Sequence, residues 1–167
     1  MKLIFQLITI ACVCLLFTCG AEGQQQSKKP QPARRVSKST NTPPQVEYLA
    51  ANRPRPAPFS EAVRVGHMLY LSGQLGTNSS PDAPRGIKAE TKQAMDNIRG
   101  ILERNGSSLD HVVKCTVMLA DISERDAMNE VYVTYFAKDR LPARSAFGVS
   151  GLVQGARVEI ECLATLK

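Results

Sequence analysis

Leu141-Pro142-Ala143-Arg144-Ser145-Ala146-Phe147, followed after a loop by Val158-Glu159-Ile160-Glu161-Cys162, is the stretch around which the chain is organised. It reads as two extended segments. Pro142 disfavours a helix at Leu141 and itself suits only the first residue or the edge of a strand. The glycine-punctuated run Ser150-Gly151-Leu152-Val153-Gln154-Gly155 joins the two. From Ala156 the side chains alternate: Val158, Ile160, Cys162 and Ala164 point one way, Glu159, Glu161, Leu163 and Thr165 the other. The last strand thus aims two carboxylates at one face. Arg144, on the strand before it in sequence, is the cation expected to meet them. The plainer alternative for such a pair is a structural salt bridge between neighbouring strands.

Upstream, periodicity supplies the rest of a small domain. Glu47 to Ala50 reads as a first strand, and Ser60–Val65 with Met68–Gln74 as a hairpin about the two-residue turn Gly66-His67. A helix is predicted from Lys88 to Asn105, with Ala94, Met95, Ile98, Ile101 and Leu102 as its apolar stripe and Asn105-Gly106 as its stop. His111 to Ala120 is the next strand, with Val113, Cys115, Val117 and Leu119 facing one way and Val112, Lys114, Thr116 and Met118 the other. Ser123, with Asp126 three residues later, resembles a capping box opening a second helix, whose stripe is Met128, Val131, Tyr132, Tyr135 and Phe136. The order predicts an α+β fold: a mixed sheet with two helices on one face. Two helices cover only that face. Met118, Leu163 and Val112 are expected on the other, and self-association is the expected way to bury them.

The beginning of the chain reads differently. Met1-Lys2, the apolar run Leu3 to Phe17 and the small-residue site Ala21-Glu22-Gly23 predict a signal peptide over residues 1–23 and an exported protein, periplasmic or secreted. The run is shorter than the ~20 residues of a membrane span. Acylation at Cys19 is the lipoprotein alternative. Residues 24–45, rich in Gln, Lys, Pro, Arg and Ser, are expected to be a disordered basic linker, and 46–167 the folded domain. Lys2, Lys28, Lys29, Arg34, Arg35 and Lys38 against Glu22 give residues 1–45 a net +5, which leaves +1 of the total +6 for residues 46–167. The basicity therefore belongs to the tail and makes no case for a nucleic-acid partner. Cys115 and Cys162, on apolar-facing strand positions, are expected to be buried inert thiols, with no disulfide framework. Neither they nor His67 and His111 show ligand spacing, so no metal is expected.

Pro142-Ala143-Arg144-Ser145, Phe147, Ser150, Leu152 and Val158-Glu159-Ile160 resemble the signature of the Rid family, the reactive-intermediate (enamine/imine) deaminases also called RidA/YjgF. Ala62-Val63-Arg64-Val65-Gly66, Leu71-Ser72-Gly73-Gln74, Asn97-Ile98 and Asn129-Glu130-Val131-Tyr132 extend the resemblance in the right order. It implies a chorismate-mutase-like domain in a homotrimer with sites between subunits. It also implies hydrolysis of 2-imino and 2-enamino acids, such as 2-aminoacrylate, to 2-oxo acids and ammonia, without a cofactor. In that role Arg144 binds the substrate carboxylate with its planar donor fork, and Glu159 positions or activates the water. Phe59 and Ser72 line the pocket, and backbone groups near Ala146 orient the imine nitrogen. Phe59 stands where many of these deaminases carry Tyr, and Ala146 where many carry Cys. The alternative from another class is a trimer that binds small carboxylates without turning them over.

Overall fold

The computed structural model describes residues 43–50, 58–78 and 80–167. The signal peptide expected at 1–23, and the linker expected at 24–45 apart from its last three residues, lie outside them. Among the described residues, strands β1 (Val46–Leu49), β2 (Ala62–Val65), β3 (Met68–Leu71), β4 (Gln74–Leu75), β5 (Val112–Leu119), β6 (Ala143–Gly148) and β7 (Val158–Thr165) form one sheet, accompanied by helices α1 (Ile87–Arg104) and α2 (Arg125–Tyr132). The order across the sheet is β1-β2-β3-β7-β5-β6, with β4 also on β7. Only β5 and β6 run parallel, so the sheet is mixed. The predicted hairpin is present: Val65 pairs with Met68 across Gly66-His67, and Gly66 takes the positive φ of 57° that opens such a turn.

The apolar stripes of the helices meet the sheet face that carries Leu69, Leu71, Cys115, Val117, Val158 and Ile160. Ala94, Met95, Ile98, Ile101 and Leu102 of α1 are all buried there, each large side chain contributing about 2 kcal/mol by leaving water. The helix stops where expected. The Asn105 Nδ2 donates to the Ile101 carbonyl, and Gly106 follows at φ 78°. Its start is held by a carboxylate. Glu90, 2% exposed, accepts the Gly86 N–H on Oε1 (3.1 Å) and the Arg157 N–H on Oε2 (2.8 Å), which ties the head of α1 to the entry of β7. The second helix is shorter than its stripe: Met128 and Tyr132 are buried, whereas Val131, Tyr135 and Phe136 are only partly so.

The structure corrects four expectations. A bulge between Val112 and Lys114 shifts the register of β5 on β7, so Val112 is 7% exposed on the helix side and Val113 is 44% exposed. The predicted alternation is inverted at that end, and the open face carries Val113 in place of Val112. Ser123 is not the expected cap. Asp121 accepts from the Ser123 N–H and hydroxyl at a short 3-10 turn, and α2 begins after it. Arg144 and Glu159 lie on strands separated by β5. Finally, Cys115 and Cys162 are buried as expected, at 0% and 1%, but they are joined in a disulfide. They stand directly opposite each other where β5 meets β7, a pairing that brings their Cα atoms within 4.1 Å.

Candidate functional site

The third and fourth strands are broken by two residues, and the break makes room for the site. Tyr70 pairs with Leu163 and Gln74 with Ile160, so three residues on one side span two on the other. Within this bulge Gly73 faces the Glu159 carboxylate. A Cβ on Gly73 would lie 1.9 Å from Glu159 Oε1, so only glycine allows the carboxylate its place. Ser72 beside it donates its hydroxyl to the Ser60 carbonyl at 2.7 Å, which holds the bulge against the start of the hairpin.

A pocket of about 470 Å³ opens over Glu159. Phe59, Gly73 and Leu75 line it together with Asn97 of α1, Val153 and Gln154. Asn97 is fixed, donating to the Leu75 carbonyl (3.0 Å) and accepting from Gln93 (2.9 Å). Thr77 and Asn78, which follow β4 in the chain, also line it, and Arg85 donates to the Thr77 hydroxyl (2.6 Å). Burial raises the proton affinity of Glu159 above the ordinary carboxylate range, and the like charge of Glu161 adds to the effect. A carboxylate so placed is a better base than one in open water.

The other half of the predicted site is elsewhere. Arg144 on the edge strand β6 is in register with Cys115, whose side chain faces the helices. Its guanidinium accordingly lies over the ring of Tyr132, 4.8 Å from the centroid, and it forms no ion pair among the described residues. Tyr132 is 3% exposed and its hydroxyl has no hydrogen-bond partner among the described residues. Burial pushes its pKa up to about 12 against the opposing pull of Arg144. Ala146 is in register with Val117 on the same side of the sheet as Arg144. Of the predicted residues, then, Phe59 and Glu159 line the pocket with Ser72 at its margin, while Arg144 and Ala146 lie beyond β5 on the opposite face.

Sequence reasoning left Gly73, Asn97, Thr77 and Gln154 out of the site. Gly73 and Asn97 sat inside motifs already singled out, so a signal existed for both. Gln154 gave none: its left-handed backbone, φ 60° and ψ 17°, is visible only in three dimensions. Among the described residues there is no group of three or more His, Cys, Asp or Glu side chains able to hold a metal. The open sheet face has its own hollow of about 440 Å³, lined by Tyr70, Lys114, Thr116, Glu161 and Leu163.

Comparison with known proteins identifies the family. The mouse 2-iminobutanoate/2-iminopropanoate deaminase is 45% identical over 109 residues, covering 64% of this chain and 80% of the mouse protein. The crystal structure of RidA from an Antarctic Psychrobacter matches with a TM-score of 0.62 at 36% identity, over 75% of this chain and 99% of that one. The Rid-family protein YyfA of Yersinia pestis matches with a TM-score of 0.66 at 33% identity, over 73% and 100% respectively. The family profile described as Endoribonuclease L-PSP spans residues 50–166. The chain belongs to that family, which is the family of the RidA and YjgF proteins.

Proposed function

We propose that this protein is a hydrolytic deaminase of reactive 2-imino acids, acting as a homotrimer whose sites lie between copies. The observation that carries the reading is the division of the predicted pair. Glu159 sits in a formed pocket without a cation among its lining residues, and Arg144 sits on the opposite face without an anion among the described residues. Each half supplies what the other lacks, and a second copy brings them together. The names of the relatives at 43–47% identity, 2-iminobutanoate/2-iminopropanoate deaminases, support the chemistry.

Arg144 of one copy takes the substrate carboxylate in its two-pronged donor fork. Glu159 of the next accepts a proton from water as the oxygen bonds to the imine carbon. That proton passes to nitrogen to give the amino-hydroxy adduct. The adduct's hydroxyl then yields its proton to the nitrogen by way of the same carboxylate, the C=O forms as the C–N bond breaks, and ammonia and the 2-oxo acid leave. Phe59 walls the bound imine and Ser72 holds the Gly73 bulge, while backbone groups near Ala146 orient the nitrogen from the Arg144 side. Hydrolysis of such imines is intrinsically fast, so orientation and a placed base supply what is needed. The described histidines fit no nuclease role: His67 occupies the hairpin turn, and His111 Nδ1 is 2.9 Å from the Ser108 hydroxyl. Phe59, which lacks a phenol hydroxyl, is the residue that favours the alternative of binding without turnover.

A dehydratase acting on serine generates 2-aminoacrylate, and pyruvate release with and without the protein measures the activity. Arg144→Ala and Glu159→Ala each abolish it. Mixed and reassembled, the two variants recover part of it, because some sites then combine an intact Arg144 with an intact Glu159. An unchanged rate of 2-oxo acid release across several precursors rejects the deaminase; absence of recovery rejects the shared site. Export of the chain is part of the proposal, and the Cys115–Cys162 disulfide supports it as a bond of oxidising compartments. Mass spectrometry of the native protein decides the point, by a first residue of Gln24, an acylated Cys19 or an intact Met1.

A further inference from the structure

Cys115 stands at a crossing in the sheet. It is opposite Cys162 on β7 and in register with Arg144 on β6, so these residues form one row across the three strands. Among the described residues β6 pairs with β5 alone. Whatever fixes the distance from β5 to β7 therefore fixes the distance of Arg144 from the strand that carries Glu159. The far side of β7 is held independently, with Leu69 paired to Ala164 and Leu75 to Glu159 itself. In a closed ring of identical copies the span from Arg144 to Glu159 is the same in each, so a change in it is felt at every shared site.

The cross-link draws this joint tight. Directly opposed residues of antiparallel strands have their Cα atoms about 4.5 or 5.5 Å apart, according to their place in the ladder. Those of Cys115 and Cys162 are 4.1 Å apart. The pairing of β5 with β7 keeps one register from Lys114 to Leu119, so the closeness belongs to the bond and not to a slip of the ladder. Neither sulfur has spare room. Both cysteines lie in the core with Tyr132, the residue whose ring carries the Arg144 guanidinium. Two separate thiols need more space than a bonded pair, and in a filled core the strands must supply it. A return to ordinary ladder spacing shifts the row by about 0.4 to 1.4 Å.

Resting on the deaminase reading, we propose that Cys115 and Cys162 are positioning residues, whose bond sets the place of Arg144 for the substrate carboxylate. Opening it weakens the hold on substrate and leaves the Glu159 chemistry intact. Three forms of the full-length protein are compared: the parent, the parent reduced by a phosphine through unfolding and refolding and then desalted under nitrogen, and Cys115→Ala/Cys162→Ala. Reduction adds two electrons and two protons to the bond, and the phosphine leaves as its oxide with the oxygen of water. A dehydratase acting on graded serine sets the 2-aminoacrylate level, and the initial phase of pyruvate release gives KM and kcat. Peptide mapping reports the state of Cys115 and Cys162, while far-UV spectra and sedimentation report fold and assembly. A misplacement of about 1 Å costs on the order of 100-fold, so the expected rise in KM is ~10-fold in both open forms. The kcat and the acid limb of the pH profile hold. Reoxidation of the reduced parent restores its KM, and the same treatment leaves Cys115→Ala/Cys162→Ala unchanged. Equal KM in all three forms overturns the inference and leaves the deaminase standing, as does a fall in kcat with KM unmoved. Open forms that unfold or dissociate overturn it too, because the bond then serves fold or assembly alone. No activity in the bonded parent removes the deaminase reading, and the inference with it.

Discussion

Opening the Cys115–Cys162 bond should cost the fold a large part of its stability. The two cysteines are 47 residues apart in sequence, and their link ties β5 to β7 across the middle of the sheet. In the chain-entropy account a closed loop of that length restricts the denatured state by about 4 kcal/mol at 25 °C. Reduction leaves both sulfurs in the core as small apolar groups, so the loss comes from the cross-link with little cavity penalty. With a urea m-value of about 2 kcal/mol/M, the midpoint falls by ~2 M. Because both cysteines are buried, reductant must be present through unfolding and refolding. The assay is urea unfolding followed by circular dichroism, with and without excess reductant, at one protein concentration so that self-association contributes equally. Coincident midpoints refute the entropic argument. Alkylation of Cys115 and Cys162 themselves, located by peptide mapping after denaturation without reductant, refutes the bond itself.

Three further outcomes test the site. Gly73→Ala forces the Glu159 carboxylate aside and should lower kcat about 100-fold with the far-UV spectrum unchanged. Glu159 holds its proton to higher pH than an ordinary carboxylate, so kcat/KM should fall on the acid side from above the usual range, and Glu161→Gln should move that limb to lower pH. The sign for folding follows: the raised affinity makes the fold lose stability as pH rises through the Glu159 titration, and Glu161→Gln should lessen that loss. Tyr132→Leu removes the ring beneath Arg144 and should raise KM about 5-fold with a smaller effect on kcat, whereas Tyr132→Phe keeps KM and, by deleting a buried hydroxyl without a partner, melts no lower than the parent.

Much of this fold was legible because alternation and helical periodicity report burial directly. Val158, Ile160, Cys162 and Ala164 are buried on one side of β7, and the α1 stripe is buried throughout. What periodicity does not report is which strands are neighbours. Taking β6 and β7 as adjacent, because they are consecutive, set Arg144 beside Glu159 and left the cysteines apart. In the structure β7 inserts between β3 and β5. That one fact moves Arg144 out of reach of Glu159 and sets Cys162 opposite Cys115. The bulge at Val112–Lys114 was hidden for a similar reason: Val112 and Val113 are chemically identical, and only the partner strand decides which one turns inward.

The loop between β6 and β7 also bears on how such a protein could change over time. Its ends meet at Leu119 and Ala120, and the Glu90 carboxylate separately fixes Arg157, two residues before Glu159. Residues 150–155 can therefore be lengthened, shortened or exchanged as a cassette, with the base remaining where it is. The pocket-lining Val153 and Gln154 and the Glu159 carboxylate are in this way inherited through different segments. New pocket shapes would arise by editing the cassette, under selection that leaves Gly73, Glu90 and Glu159 alone.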